Sequence, residues 1–282
     1  MFSECLVFVL LLALADASVT PCDVVVYAPH KSGSMFIHHY FQEFANVSNF
    51  EHFSENYDPE RNSDAFISST APRKIMAPIR AQPGKLSVNE NSRVVVHYRD
   101  PRDVIVSSYY SFGYSHVAPP VTSPNYEGFM NMKKHVQSFT LDKYVMKNRY
   151  HIKDQMEVVS SYLSDLPVSK NRIYVSLYDK MMNNFSDWSN DLCRFVQLPS
   201  EMCPKIYDKA KHHAVSAREK PLDVTHMEFK TQEASENAHV RDGKSGQYLS
   251  LQPETLKHLD DLVGPTLKEL TKLLDLYSVV SS

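Results

Sequence analysis

Two apolar runs stand out from the mixed pattern of this chain, and each is followed by a polar break and a helical period. Val24-Val25-Val26-Tyr27 has the length of a buried strand. It breaks at Ala28-Pro29, and the polar loop His30-Lys31-Ser32-Gly33-Ser34 follows. Met35, Phe36, Ile37, Tyr40, Phe41 and Phe44 then recur at helical spacing. The second run, Val94-Val95-Val96-His97-Tyr98, ends at Arg99. Asp100 suits a helix cap, Pro101 a first helical position and Asp103 a first turn.

Further elements are weaker. Phe66-Ile67-Ser68-Ser69 and Lys74-Ile75-Met76 read as short strands. Residues 113–128 hold several prolines and read as a long mobile loop. Residues 129–165, 182–196 and 251–276 have helical patterns, the last interrupted at Gly264-Pro265. Strands alternating with helices predict an α/β fold: three layers around a doubly wound, mainly parallel sheet. Ligands in such sheets bind beyond the C-terminal strand ends.

The first unit places a loop and a helix N-terminus at one point, which favours an anion such as phosphate. Lys31 adds a positive charge, and Ser32 and Ser34 add hydroxyls. The loop is P-loop-like without being a Walker A motif, because its Lys comes first and it has one Gly. In the second unit, Arg99 at a strand tip and Ser107 two helical turns on form a clamp for a second phosphate.

These segments resemble the sulfotransferases that use 3′-phosphoadenosine 5′-phosphosulfate (PAPS). Lys31-Ser32-Gly33-Ser34-Met35-Phe36 is similar to their phosphosulfate loop, and residues 98–112 to their 3′-phosphate segment. Ile173 to Lys180 resembles a later strand of that family, and residues 241–248 its C-terminal loop. The resemblance implies that Lys31, Ser32, Gly33, Ser34 and Met35 hold the phosphosulfate. It places Phe36 and Tyr178 against adenine, and Arg99, Ser107, Arg241, Asp242 and Gly243 at the 3′-phosphate. Asp242 stands where the family often has Lys. Lys31 would stabilise charge on the leaving oxygen.

A base for the acceptor hydroxyl is less plain. The histidine of the small-molecule branch aligns with Ala77 and is missing. Other branches place a Glu or His after the first helix, which makes Glu51 the first choice and His52 the second. The expected activity is sulfuryl transfer from PAPS to a hydroxyl on a glycan, protein or small molecule, the first two preferred. The alternatives are a non-catalytic PAPS-binding protein and a P-loop kinase of a small hydroxylated substrate. The kinase lacks an obvious Mg²⁺-binding Asp after a strand.

Composition narrows the class. The chain has 282 residues and 43% hydrophobic content, enough for one large domain. A net charge of −3 gives no general basic field for nucleic acid. No His/Cys cluster points to a metal, so none is expected. Leu6 to Ala15 is an apolar run before Ala15-Asp16-Ala17, which reads as a cleaved signal peptide over 1–17. The run is too short for a stable membrane span, although an uncleaved anchor is the other option. The sulfotransferase domain then covers 18–282, in the Golgi or ER lumen or secreted. Cys193 and Cys203 suit a disulfide, with reduced thiols as the other option. Asn46-Val47-Ser48 and Asn184-Phe185-Ser186 are glycosylation sequons.

Overall fold

The computed structural model describes residues 23–54, 59–80, 88, 90–116, 118–164, 166, 168–219 and 245–278. Its centre is a five-stranded, all-parallel sheet. The strands are β1 (Val24–Tyr27), β2 (Glu51–Phe53), β3 (Lys74–Ile79), β4 (Arg93–Tyr98) and β5 (Ile173–Leu177), in the order β2-β3-β1-β4-β5. β1 is buried along its whole length, as a strand covered on both faces must be.

Alternation along the strands divides the core in two. Val25, Tyr27, Met76, Val94, Val96, Ile173 and Val175 face one layer. Helices α3 (Pro101–Tyr110), α6 (Tyr150–Ser164) and α10 (Pro253–Ser278) cover it, through residues such as Val106, Met156 and Leu259. Val24, Val26, Ile75, Ala77, Val95 and Tyr174 face the other. There α1 (Ser34–Ser48), α8 (Phe185–Val196) and α9 (Cys203–Glu219) pack through Tyr40, Phe44, Trp188 and Ile206. The remaining helices are α2 (Pro59–Ser68), α4 (Tyr126–Gln137), α5 (Leu141–Asn148) and α7 (Tyr178–Asn183). The three-layer, doubly wound fold read from the sequence is present.

The topology fixes where a ligand belongs. After β1 the chain runs out to β2 and β3; after β4 it runs the other way to β5. The helices that follow β1 and β4 enter opposite layers. β1 and β4 are neighbours, so their C-terminal tips border the crevice at the switch point. Lys31 follows β1 and Arg99 follows β4.

Several local expectations are corrected. Phe66 lies in a helix, α2, rather than a strand, and its side chain packs into the sheet's core. The loop expected over 113–128 is shorter at both ends: residues Ser111–Ser115 continue α3 as a π turn, and Tyr126 opens α4. α4 clamps that turn, with Lys133 Nζ donating to Tyr114 O at 3.1 Å and Gln137 Nε2 to Gly113 O at 2.7 Å. α10 runs through Pro265 without a break, held by the buried stripe Leu259, Val263, Leu270 and Leu274. Cys193 and Cys203 are free thiols in the apolar layer. Among the described residues no helix is long and apolar enough to cross a membrane.

Candidate functional site

The loop between β1 and α1 is an unusual piece of backbone. Lys31 has φ 67° and Gly33 φ 89°, both left-handed. At Gly33 the conformation and the space each select glycine. A Cβ there would lie 3.1 Å from Met181 Cε and 3.2 Å from the Tyr178 ring. At Lys31 the same conformation is costly for a side-chain-bearing residue, and surrounding bonds must hold it. Arg99 Nη1 donates to Lys31 O at 2.9 Å, and Ser32 is tied to Pro29 O by both its N–H and its hydroxyl.

His97 anchors the loop from below. Its Nε2 lies 2.7 Å from Ser32 O, its Nδ1 lies 2.8 Å from Ser176 Oγ, and Trp188 Nε1 donates to that same oxygen at 2.7 Å. A carbonyl can only accept, so the ring proton sits on Nε2 and Nδ1 accepts from Ser176. The chain Trp188 to Ser176 to His97 to Ser32 therefore has one direction and links β4, β5 and α8 to the loop. His97 is fully buried, and burial pushes its pKa down to about 4. Sequence reading counted it only as a member of an apolar strand.

Charge gathers at the same tip. Lys31 is largely buried, and that burial, with Arg80 nearby, lowers its pKa to about 8. His30 is lowered by burial, Arg80 and Lys31. Arg99 is buried, with its guanidinium 4.2 Å from the Tyr178 ring and Nε 4.0 Å from Asp103. Gly33, at the cap position just before α1, offers no side-chain cap, so the first N–H groups of the helix are not claimed by one. Crowded, desolvated cations beside an uncapped helix N-terminus are the arrangement that an anion relieves. The residues present thus fit a phosphosulfate.

The other expected residues fall unevenly. Ser34 opens α1 and is buried, and Met35 Sδ accepts from Arg80 Nη2 at 3.0 Å. Phe36 sits in an aromatic wall, 5.5 Å from the Phe185 ring and 6.1 Å from Trp188. Tyr178 opens α7 and packs between Gly33 and Arg99. Ser107 lies two turns along α3 from Arg99, half-buried. Arg241, Asp242 and Gly243 lie outside the described residues. The chain just beyond them is fixed to the site. Asp103 accepts from the N–H groups of Gly246 at 2.9 Å and Tyr248 at 3.1 Å, and Ser245 bonds Asp179.

Glu51 is not brought to this tip. It pairs in register with Lys74, at the start of β3, whereas the end of β1 pairs with Ile79. Five residues of strand separate the two levels, roughly 16 Å at the usual rise. Glu51 is exposed and bonded to Ser69. His52 turns inward, 2.9 Å from Ala77 O, with its ring 5.3 Å from that of His38. Two residues that sequence reading missed stand next to Lys31 instead. Its ammonium bonds Ser111 Oγ, Ser111 Oγ lies 2.6 Å from His116 Nδ1, and the Phe112 ring lies 5.1 Å from Nζ. Ser111 and His116 are five apart, a spacing that only the π turn brings together. Among the described residues no cluster of His, Cys, Asp and Glu could hold a metal ion.

Comparison with known proteins agrees with this geometry. The structure of mouse sulfotransferase SULT7A1 complexed with PAP is similar, with a TM-score of 0.54 and 13% identity. The likeness covers 92% of this chain and 89% of that one. Retinol dehydratase in complex with androsterone and inactive cofactor PAP has a TM-score of 0.49 at 15% identity, over 89% of this chain and 82% of that one. No curated protein matches the sequence. The first likeness shows the fold. The sulfotransferase domain family itself matches residues 21–271. That match takes in both strand–loop–helix units, and the chain therefore belongs to the sulfotransferase domain family.

Proposed function

We propose that this chain moves a sulfuryl group from PAPS to a hydroxyl on a glycan or protein in the lumen of the secretory pathway, without a metal ion. The observation that carries the donor side is Lys31, a partly buried cation in a glycine-opened loop at the sheet's switch point. The acceptor oxygen attacks sulfur and the bond from sulfur to the bridging phosphate oxygen breaks. The hydroxyl proton leaves to a base, and the products are a sulfate ester and 3′-phosphoadenosine 5′-phosphate. Lys31 supplies positive charge where the leaving oxygen gains negative charge. Arg99, packed behind the loop, shapes the donor site and is remote from the reacting sulfur.

Two features favour a luminal macromolecular acceptor. The N-terminal apolar run ends in a cleavage-type site, and Ala77 stands where the small-molecule branch has its histidine. Expressed in a eukaryotic host, the protein should be recovered from the medium beginning at Ser18. That material, given sulfur-labelled PAPS in EDTA, should label a pool of glycans or of tyrosine peptides. Labelling of simple phenols alone would overturn the acceptor class. Recovery of intact Met1 in the cytosol would overturn the compartment. No labelling, with 3′-phosphoadenosine 5′-phosphate still bound, would favour the non-catalytic alternative.

A further inference from the structure

The π turn after α3 presents a chain of polar contacts that the donor loop does not account for. Lys31 Nζ has protons to give and no lone pair when charged, so Ser111 Oγ accepts from it. The single hydroxyl proton of Ser111 is then free to go to His116 Nδ1, 2.6 Å away. Nδ1 is the lone-pair nitrogen in that arrangement, and the ring proton is on Nε2. The same two residues are joined by backbone, His116 N donating to Ser111 O at 2.9 Å. Phe112 lies between them in sequence. Its ring is 5.1 Å from Lys31 Nζ and 5.5 Å from the His116 ring. Lys133 Nζ, from α4, donates to His116 O at 3.3 Å and holds the turn from outside. Ser111 is buried, so water does not readily replace it as the acceptor for Lys31.

We propose that Ser111 and His116 form a dyad that positions the Lys31 ammonium for sulfuryl transfer, with His116 acting through Ser111 as a positioning residue. This rests on the reading of Lys31 given above. A partly buried ammonium held, among the described residues, by the Ser111 hydroxyl takes its direction from that acceptor. Ser111 in turn offers a fixed lone pair only while its own proton is directed to His116. Removing His116 frees the hydroxyl to rotate and leaves Lys31 in several orientations, of which a minority suit the reaction. The charged and titratable groups facing Lys31 are His30 beside it, Arg80 from the end of β3, Arg99 at its carbonyl and His116 behind Ser111. Among the described residues none of these is a carboxylate, so none of them takes over as acceptor if Ser111 is lost.

Steady-state kinetics of labelled-sulfate transfer test this. His116→Ala and Ser111→Ala should each lower kcat about 10- to 100-fold, the usual scale for a misplaced catalytic group, with KM for PAPS within about twofold. The double variant should be no worse than either single one, because the two act as a unit. His116→Asn puts an amide oxygen near the Nδ1 position and should restore most of kcat. His116→Gln reaches the Nε2 position and should not. Unchanged kcat in His116→Ala, or a loss confined to KM, overturns the proposal. Equal losses in the Asn and Gln variants also overturn it, and would make His116 a proton acceptor itself. A readout free of turnover separates this from failure of the transfer reading. By nitrogen-15 NMR of labelled lysines, the Lys31 titration should move to lower pH in Ser111→Ala, because an acceptor for the charged form is gone. A Lys31 titration that does not move overturns the dyad even if the protein transfers sulfate to nothing.

Discussion

Lys31→Ala should lower kcat for sulfuryl transfer by about 10²–10³-fold, the usual cost of deleting one preorganised electrostatic group. Lys31 sits in a left-handed backbone conformation fixed by Arg99 and Ser32, and its ammonium is held by Ser111 over the Phe112 ring. Its position is set before the donor arrives, so little reorganisation is needed as the leaving oxygen gains charge. The surroundings are desolvated, which strengthens the interaction. The loss should appear mainly in kcat, since the interaction grows towards the transition state. Lys31→Arg should fail to rescue, because a planar fork does not fit a pocket built round one point charge. The pH dependence follows with its sign. The charged form is active and is present below the pKa of about 8, so kcat/KM for PAPS should fall as pH rises through that value. In the donor complex the bound anion favours the charged form, so the limb in kcat should lie at higher pH. Steady-state profiles of both constants measure this, and an alkaline limb unchanged in Lys31→Ala would contradict it.

Stability should fall as pH drops from about 6.5 towards 4, through groups unrelated to turnover. His97 is buried neutral between Ser32 and Ser176, with its pKa lowered to about 4 by burial. His38 is also lowered to about 4, by burial and then by His52 and His39, whose rings lie 5.3 Å and 5.2 Å away. His30, His39 and His52 shift the same way. In each case the unfolded chain binds the proton more tightly than the folded one. The stabilisation is full above the unfolded value of 6.5 and is lost as pH falls through the window down to the folded value. His97 alone contributes on the order of 3 kcal/mol across that window. Thermal melts at stepped pH should show Tm nearly flat above neutrality and falling steeply below pH 6. His97→Leu should be less stable at pH 7, since Ser32 O loses its donor, and should have a shallower acid slope. A wild-type Tm unchanged down to pH 4.5 would contradict this account.

What the sequence made legible, and what it did not, divides along physical lines. β1, β4 and their following helices were readable because long apolar runs and a capped, Pro-started helix are local signals. β2 was not, because three residues on a sheet edge, one of them the exposed Glu51, carry no run at all. Glu51 was expected at the site because branches of the resembled family place a Glu or His after the first helix, and nothing in the sequence showed that a strand starts there. With β2 in place, the parallel register puts it at the opposite end of the strand. Pro265 suggested a break that tertiary packing overrides. Lys31, Arg99 and Gly33 were legible as chemistry in a loop. Asp103 was visible only as a first-turn acid, whereas its buried carboxylate ties down the chain at Gly246 and Tyr248. His97 was hidden inside a strand, and Ser111 with His116 inside a segment whose i to i+5 turn no helical period announces.

The measurement that tests the central claim most directly is the melting shift of the purified protein with 3′-phosphoadenosine 5′-phosphate in EDTA. At a hundredfold excess over Kd, the ligand should add about 2.7 kcal/mol of stability. Arg99→Ala should lose most of that shift, because Arg99 is buried against the loop and Tyr178. Lys31→Ala should keep much of it, since the sulfuryl end is absent from this ligand. A protein stabilised by ATP with Mg²⁺ and indifferent to the bisphosphate would contradict the account.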